Sequence, residues 1–277
     1  MQSLKEYSSH EQPASRSCMR LKDKVILVTG STTGIGEAMV RLFAREGAQV
    51  MIHGRRKDAA QELAAEVGEC ASFVIGALED PQTAPKLIAE TIARFGRIDG
   101  LVNNAAVITR GVLEDANPET FDRTMSINLR APLLLIQSAL PHFRKNGGGR
   151  VLNIGSINAY CGEPTYLLYS MSKGGLMTMT RNLADAHATE GIQINQLNVG
   201  WTLTQNEYAL KLKDGMPADW PSKLPKSVAP SGRIHSPEEV AMAAIYFLSD
   251  EAALINGSIL DVEQFPLIGR NPNKEVH

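Results

Sequence analysis

Short runs of apolar residues alternate along the chain with longer stretches in which apolar residues recur every three or four positions. The continuous run Val25–Val28 predicts a strand that is buried on both faces, and Ile35, Met39, Leu42 and Phe43 follow it at helical spacing. Strands that alternate with helices predict an α/β fold, here a doubly wound parallel sheet in a single domain. The predicted strands continue at 50–52, 73–75, 100–103, 151–154, 192–198 and 258–262, and the predicted helices cover 58–67, 83–95, 118–143, 168–189 and 237–248.

Three of these helices begin at capping signals. Asn117 precedes Pro118, which places a good N-cap residue before a proline in the first helical turn. Ser236 is followed three residues later by Glu239, the spacing of a capping box. Asp58 and the glutamine three residues after it have the same spacing and predict a further capping box.

Charge and composition argue against several classes of function. The chain has 28 basic and 30 acidic residues, a net charge of −2, so it has no basic excess for nucleic acid or an anionic membrane surface. No run reaches the roughly 18 apolar residues of a membrane-spanning helix. The three cysteines are widely spaced and the six histidines lack metal-ligand spacing, so we predict no metal and a reducing, cytoplasmic location. The polar residues 1–20 predict a flexible extension before one domain over 21–277.

A glycine-rich turn follows the first predicted strand. Gly30, Gly34 and Gly36 lie between that strand and the first helix. Glycines permit a tight turn and let a phosphate approach the helix N-terminus, where free N–H groups attract anions. A turn without a ligand is the plainer interpretation, but the strand–turn–helix context favours nucleotide binding.

Several motifs, in order along the chain, resemble those of the short-chain dehydrogenase/reductase family. The turn reads Thr-Gly-x-x-x-Gly-x-Gly, and Asn103-Asn104-Ala-Ala is similar to the family's Asn-Asn-Ala-Gly. A Tyr-x-x-x-Lys pair follows later, and the resemblance covers about residues 22–265. It implies a Rossmann-like fold, a nicotinamide cofactor, a small-molecule substrate and a homotetramer. The predicted helices 118–143 and 168–189 are apolar on more than one face, which also favours association.

The resemblance assigns roles to two sets of residues. The catalytic set is Asn128, Ser156, Tyr169 and Lys173. The cofactor-binding set is Gly30, Ser31, Thr32, Gly34, Ile35, Gly36, Arg55, Arg56, Leu78, Asn104, Tyr169, Lys173, Thr202 and Thr204.

The catalytic set suits proton transfer that accompanies hydride transfer. Tyr169 and Lys173 are four residues apart, so a helix places them on one face, and a nearby ammonium is expected to lower the phenol's pKa of about 10. Tyr169 then exchanges a proton with the substrate oxygen, which Ser156 orients. Asn128 lies in an apolar helix and needs a partner, either neighbouring backbone or, by resemblance, a water in a relay to Lys173. Each residue alone has a plainer structural interpretation.

The second predicted strand leads into the segment 53–57, His-Gly-Arg-Arg-Lys. Gly54 occupies the position where NAD-preferring relatives carry an acid, and Arg55 can grip a 2′-phosphate. We therefore favour NADP(H), with NAD(H) as the alternative; a solvated basic helix start is the plainer interpretation. Ala77 replaces the family's Asp near the adenine, so Leu78 is expected to contribute packing and backbone only.

The proline-containing stretch 201–236 predicts a substrate lid. Trp201, Tyr208 and Trp220 either face a substrate or pack inside this lid. The segment 160–166 mixes aromatic and polar residues, which favours a small polyhydroxy or keto substrate.

Two other functions compete with an oxidoreductase. A non-catalytic NADP-sensing protein on the same scaffold would not need the catalytic set, and a sugar-nucleotide epimerase or dehydratase is expected to have a longer C-terminal domain. Gln264 and Phe265 stand where the family usually has two glycines, which predicts either a different course for the C-terminal segment or a different contact between subunits.

Overall fold

The computed structural model describes residues 19–160 and 162–265 and contains one parallel sheet of seven strands. The strand order is β3-β2-β1-β4-β5-β6-β7, so the chain reverses direction across the sheet between β1 and β4. Ligands of such sheets bind at the carboxyl ends of the strands, near this reversal. The strands are β1 Val25–Val28, β2 Gln49–Gly54, β3 Ala71–Ile75, β4 Gly100–Asn103, β5 Gly149–Ser156, β6 Ile192–Val199 and β7 Ile259–Val262.

Helices cover both faces of the sheet, and each face has its own apolar core. Phe43 and Leu248 are buried on one face, and Leu87 and Phe143 on the other. The predicted helix 118–143 consists of two α-helices joined by a π-helical turn, Ser126–Arg130. The α-helices are α1 Gly34–Arg45, α2 Lys57–Val67, α3 Thr83–Phe95, α4 Pro118–Met125, α5 Ala131–Lys145, α6 Leu167–Ala186, α7 Gln205–Lys213 and α8 Pro237–Leu248.

Two of the three predicted helix caps are present. Asn117 accepts a hydrogen bond from the Thr120 amide, and Ser236 and Glu239 form a reciprocal capping box. The prediction for Asp58 was wrong, because α2 begins one residue earlier and has Arg56 as its N-cap, without a side-chain cap.

The lid 201–236 has a small core of its own. Trp220 is 1% exposed and stacks on Trp201 with ring centroids 5.2 Å apart. Tyr208 also stacks on Trp220, with ring centroids 6.4 Å apart, so these aromatic residues pack against one another inside the lid. Helix α7 lies inside the lid, and hydrogen bonds between residues 201–203 and His235 close its base.

The ends of the described chain contact the domain. Arg20 forms an ion pair with Glu251 at 2.7 Å, so the domain begins before residue 21. The predicted extension over residues 1–18 lies outside the described residues. After β7, the Gln264 side chain accepts from the Ser231 amide at 3.0 Å and donates to the Arg233 carbonyl at 2.7 Å. The departure at Gln264 therefore fastens the C-terminal segment to the end of the lid.

Two kinds of feature are absent from residues 19–160 and 162–265. No helix there is long and apolar enough to cross a membrane. No group of three or more His, Cys, Asp or Glu side chains there is placed to hold a metal ion.

Candidate active site

At two positions, the glycine turn between β1 and α1 leaves no room for a side chain. Gly30 has a φ of +60°, and a Cβ there would lie 2.8 Å from the Ala105 Cα. A Cβ at Gly36 would lie 2.6 Å from the Asn104 amide nitrogen. No side chain caps α1, whose N-cap is Thr33, so the amides of its first turn have no side-chain partner from this residue. This is the geometry that accepts a phosphate.

The side chain and backbone of Asn104 hold the glycine turn through hydrogen bonds. Its side-chain amide donates to the carbonyl oxygens of Thr29 at 2.9 Å and Gly30 at 3.0 Å. Its backbone N–H donates to the Thr29 hydroxyl. The side-chain donors are therefore committed to the protein, and a direct contact between Asn104 and a cofactor stays a prediction.

The end of β2 has no room for a carboxylate at residue 54. A Cβ at Gly54 would lie 2.6 Å from Cγ2 and 2.9 Å from Oγ1 of Thr32. Thr32, from the glycine turn, thus occupies the space that an acidic side chain would need. Arg55 and Arg56 follow directly, and both are exposed at the carboxyl edge of the sheet.

Leu78 follows β3 and is 6% exposed, packed in the apolar core. The Ala77 carbonyl accepts from the Thr83 hydroxyl at 2.7 Å. The Leu78 side chain is thus packed in the core, and a backbone contact between Leu78 and a cofactor stays a prediction.

Tyr169 and Lys173 lie one turn apart on α6, with the Lys173 ammonium 5.7 Å from the Tyr169 ring centroid. Lys173 is 2% exposed and donates to the Ile154 carbonyl at 2.7 Å. Burial lowers the pKa of Lys173 to about 8, because the interior disfavours its charge.

Burial is also the dominant influence on Tyr169, and it raises the pKa of this phenol. A hydrogen bond with Ser156 opposes the rise, and Tyr166 adds to it. The expectation that Lys173 lowers the pKa of Tyr169 was wrong for this arrangement, since the Lys173 ammonium is directed at the Ile154 carbonyl and burial is the dominant influence on the phenol.

Ser156 ends β5 and is 6% exposed. Its hydroxyl oxygen accepts from the Asn158 amide at 3.2 Å, which caps the short helical turn Ile157–Ala159. The proton of the Ser156 hydroxyl can therefore be donated to a second partner on the side of Tyr169. The plain capping role and a catalytic role are therefore compatible.

Asn128 lies in the π-helical turn and is 1% exposed. Its side chain accepts from the Val107 amide at 2.8 Å and donates to the Val107 carbonyl at 2.9 Å. It also donates to the Ser172 hydroxyl at 3.0 Å, beside Lys173 on α6. The backbone partner that the sequence required is thus present, and the helix is locally widened at this residue.

Thr202 and Thr204 lie at the start of the lid, where the lid approaches the glycine turn. Thr202 is 8% exposed and donates to the Gly200 carbonyl at 3.2 Å. Thr204 caps α7, and its Cγ2 would lie 3.2 Å from a Cβ at Gly34. The start of the lid therefore lies against the turn.

Near the start of α6, the lid and two loops line an open polar pocket of about 490 Å³, which Tyr166 lines and Tyr169 does not. Arg110 lines it and binds Asp214, at the end of α7, at 2.9 Å. It also donates to the Tyr166 hydroxyl at 3.1 Å, and the Tyr166 ring meets that of Tyr169 edge-on, with centroids 6.3 Å apart. Arg110 thereby links the lid to the start of α6.

Sequence reasoning did not single out His53 or the pair Arg110–Asp214. His53 is 2% exposed at the penultimate position of β2, and a polar side chain in a strand buried on both faces needs partners. That signal was available. No local signal points to Arg110 and Asp214, because they are far apart in the sequence.

Comparison with known proteins agrees with this geometry. A family model described as enoyl-(acyl carrier protein) reductase matches residues 30–264. L-fucose dehydrogenase of Mus musculus is 34% identical over 241 residues, which cover 86% of this chain and 86% of that protein. The chain belongs to the short-chain dehydrogenase/reductase family.

Further members of this family are equally similar. D-threitol dehydrogenase of Mycolicibacterium smegmatis is 33% identical over 247 residues, which cover 88% of this chain and 93% of that protein. The solved structure of 3-ketoacyl-(acyl-carrier-protein) reductase from Brucella melitensis, complexed with NADH, is 32% identical, with a TM-score of 0.78 over 87% of this chain and 97% of that one. The chain is thus an oxidoreductase of this family and uses a nicotinamide cofactor. A non-catalytic nucleotide sensor has no support among these relatives.

Proposed function

We propose that this chain interconverts a carbonyl and a secondary alcohol by hydride transfer, with Tyr169 as the general acid or base. The observation that carries the proposal is the convergence of Ser156, Tyr169 and Lys173 at the carboxyl end of β5, on the same edge of the parallel sheet as the glycine turn. The bound nicotinamide would supply or accept the hydride.

Tyr169 is the group that gives a proton to the carbonyl oxygen during reduction. Its raised pKa keeps the phenol protonated at neutral pH, which suits this direction. Ser156 hydrogen-bonds the same oxygen and orients it. Lys173 places its positive charge behind the ring and, with Tyr169, holds the nicotinamide ribose, while Asn128 fixes the segment that precedes Lys173.

The substrate is a small polar compound, of the polyhydroxy or keto class. Two observations support this: the open pocket at Tyr166, the ring neighbour of Tyr169, is lined largely by charged and polar groups, and relatives include enzymes named for L-fucose and D-threitol. An acyl chain would lie against unfavourable charge here. The charged residues that line the cavity are Arg110, Asp115, Glu163, Lys211 and Asp214.

A substrate panel tests both parts of this proposal. Purified protein is offered sugars, polyols, keto acids and acyl thioester ketones with each nicotinamide cofactor, and absorbance of the reduced cofactor is followed. Turnover of a polyol or sugar supports the substrate class. Turnover of acyl thioesters alone overturns the class, and no turnover with any carbonyl or alcohol overturns the activity.

The cofactor is NADP(H) in preference to NAD(H). Thr32 fills the space above Gly54, and Arg55 stands exposed at the edge where a 2′-phosphate would lie. Hydrogen bonds to charged groups contribute roughly 1.5–3 kcal/mol each, about tenfold to a hundredfold in affinity. Dissociation constants for NADPH and NADH in wild type and Arg55→Ala test this. Wild type should favour NADPH and the variant should lose most of that preference; equal affinities in wild type contradict it.

The chain assembles as a homotetramer in which two apolar regions are covered by other copies. Phe121, Leu133 and Met171 are 40–48% exposed on α4, α5 and α6. Met242 on α8 and Leu260 on β7 are 54% and 44% exposed. Sedimentation at micromolar concentration should give four times the monomer mass, and a 30.1 kDa species would contradict the assembly. A cytoplasmic location also stays a prediction, which rests on the cysteine pattern.

A further inference from the structure

His53 joins the glycine turn to the end of β3. His53 is the penultimate residue of β2, the strand between β1 and β3. The Gly30 amide donates to Nδ1 at 3.2 Å, and Nε2 lies 3.2 Å from the Gly76 carbonyl oxygen. Gly30 is the first glycine of the phosphate-binding turn, and Gly76 directly follows β3.

These two partners permit only one form of the ring. The Gly30 N–H is a donor, so Nδ1 must be unprotonated, and the Gly76 carbonyl is an acceptor, so Nε2 must carry the proton. A protonated imidazolium would set an N–H against the Gly30 N–H. Burial holds the pKa of His53 at about 4, which keeps the ring neutral at working pH.

The backbone of His53 holds the next residue of the turn. The Ser31 amide donates to the His53 carbonyl at 2.8 Å, and the His53 amide donates to the Ser31 hydroxyl at 3.1 Å. On its other side, Gly30 lies against Ala105 after β4. The glycine turn is therefore held between Ala105, which follows β4, and His53 of β2.

We propose that His53 is a positioning residue of the cofactor site, whose Nε2-protonated ring fixes the glycine turn against the end of β3. The inference rests on the proposed use of a nicotinamide dinucleotide. A cofactor that spans from the turn toward β3 requires these two segments at a fixed separation, and His53 is the side chain that contacts both. The affinity for the dinucleotide should depend on it.

The first test compares variants that keep or remove the contact with Gly30. His53→Asn can present its Oδ1 near the position of Nδ1, whereas His53→Leu cannot accept a hydrogen bond. We expect His53→Leu to bind NADPH about tenfold more weakly, the equivalent of one hydrogen bond, and His53→Asn to recover most of that loss. His142→Leu, on α5 away from this edge, is the matched control and should bind as wild type does.

A side chain that only fills the core would give a different pattern. Stability, measured by thermal unfolding, would then fall in both His53 variants, while the affinity of the folded protein for NADPH stayed at the wild-type value. That pattern overturns the inference, as does His53→Asn binding no better than His53→Leu. If wild type binds neither NADPH nor NADH, the proposed function fails instead, so the two failures are distinguishable.

The second test needs no stable variant of the contact. Nitrogen-15 NMR of the wild-type side chains at pH 7 should show one histidine with an unprotonated Nδ1 and a protonated Nε2. The signals of this histidine should be absent from the spectrum of His53→Asn. If that variant does not fold, the assigned wild-type spectrum should attribute the same signals to His53 in β2. The opposite tautomer, or a protonated ring, overturns the inference.

Discussion

Replacing Lys173 by Met should remove a pH-dependent destabilisation that the active site imposes on the fold. Lys173 is 2% exposed, and burial lowers its pKa from 10.5 to about 8. The folded state therefore prefers the neutral amine, whereas the unfolded chain keeps the ammonium up to about pH 10.5. One pKa unit corresponds to about 1.4 kcal/mol, so a shift of this size destabilises the folded wild type by about 3 kcal/mol at pH 7.

The sign of the pH dependence follows from the proton counts. Below pH 8 both states bind the proton, and the full penalty is present. Between about pH 8 and 10.5 the unfolded state binds more protons than the folded state, so wild-type stability rises with pH from this group. Lys173→Met lacks the group, so its stability relative to wild type should fall by about 2 kcal/mol from pH 7 to pH 9.5.

Denaturant unfolding of wild type and Lys173→Met at both pH values, at one protein concentration, measures this change. Comparing the two pH values cancels the lost hydrogen bond to Ile154, which affects the variant at both. Lys226→Met, at an exposed position of the lid, is the matched control and should show no such change. If the stability of Lys173→Met relative to wild type stays constant or rises from pH 7 to pH 9.5, the burial argument is refuted.

Three further predictions address chemistry, cofactor choice and the lid. Tyr169→Phe should lower turnover by at least about 10²-fold while NADPH affinity falls by no more than about tenfold, because the proton donor is lost together with one hydrogen bond to the nicotinamide ribose; steady-state kinetics and a binding titration check this, and near-normal turnover would remove Tyr169 from its role. Gly54→Asp alone should destabilise the protein by about 1–3 kcal/mol, since its Cβ meets Thr32 at 2.6 Å. Adding Thr32→Gly should restore stability and shift the NADPH-to-NADH affinity ratio toward NADH by about tenfold or more, as measured by thermal unfolding and binding; a stable single variant contradicts the steric argument. Trp220→Ala should expose 201–236 to protease while circular dichroism of the sheet and helices persists, and Trp220→Phe should protect the lid; equal cleavage of wild type and Trp220→Ala would mean that the stacked aromatic core does not order the lid.

The sequence by itself determined the features that depend on neighbouring residues. The alternation of apolar runs with helical spacing predicts the strand order along the chain, most clearly at β1, whose four residues are all apolar because they are buried. Asn117 and Ser236 predict where their helices begin, because an N-cap side chain bonds to backbone within three residues of itself. The turn glycines and the Tyr169–Lys173 pair were found for the same reason, since their spacing is local.

Local spacing was insufficient where tertiary packing competes with it. Asp58 has the spacing of a capping box, but α2 begins before it. The pKa of Tyr169 is governed by burial, which no sequence position reveals, and the neighbouring ammonium of Lys173 is directed elsewhere.

Only the tertiary structure decided which distant residues meet. His53 contacts Gly30 and Gly76, each 23 residues away, because parallel pairing brings the ends of β1, β2 and β3 to one edge. Arg110 meets Asp214 across 104 residues, where the lid folds over the loop after β4. Local patterns fix which segments form strands, helices and turns, whereas contacts between side chains at the site depend on how those segments pack, which the chain establishes only when the whole sheet is assembled.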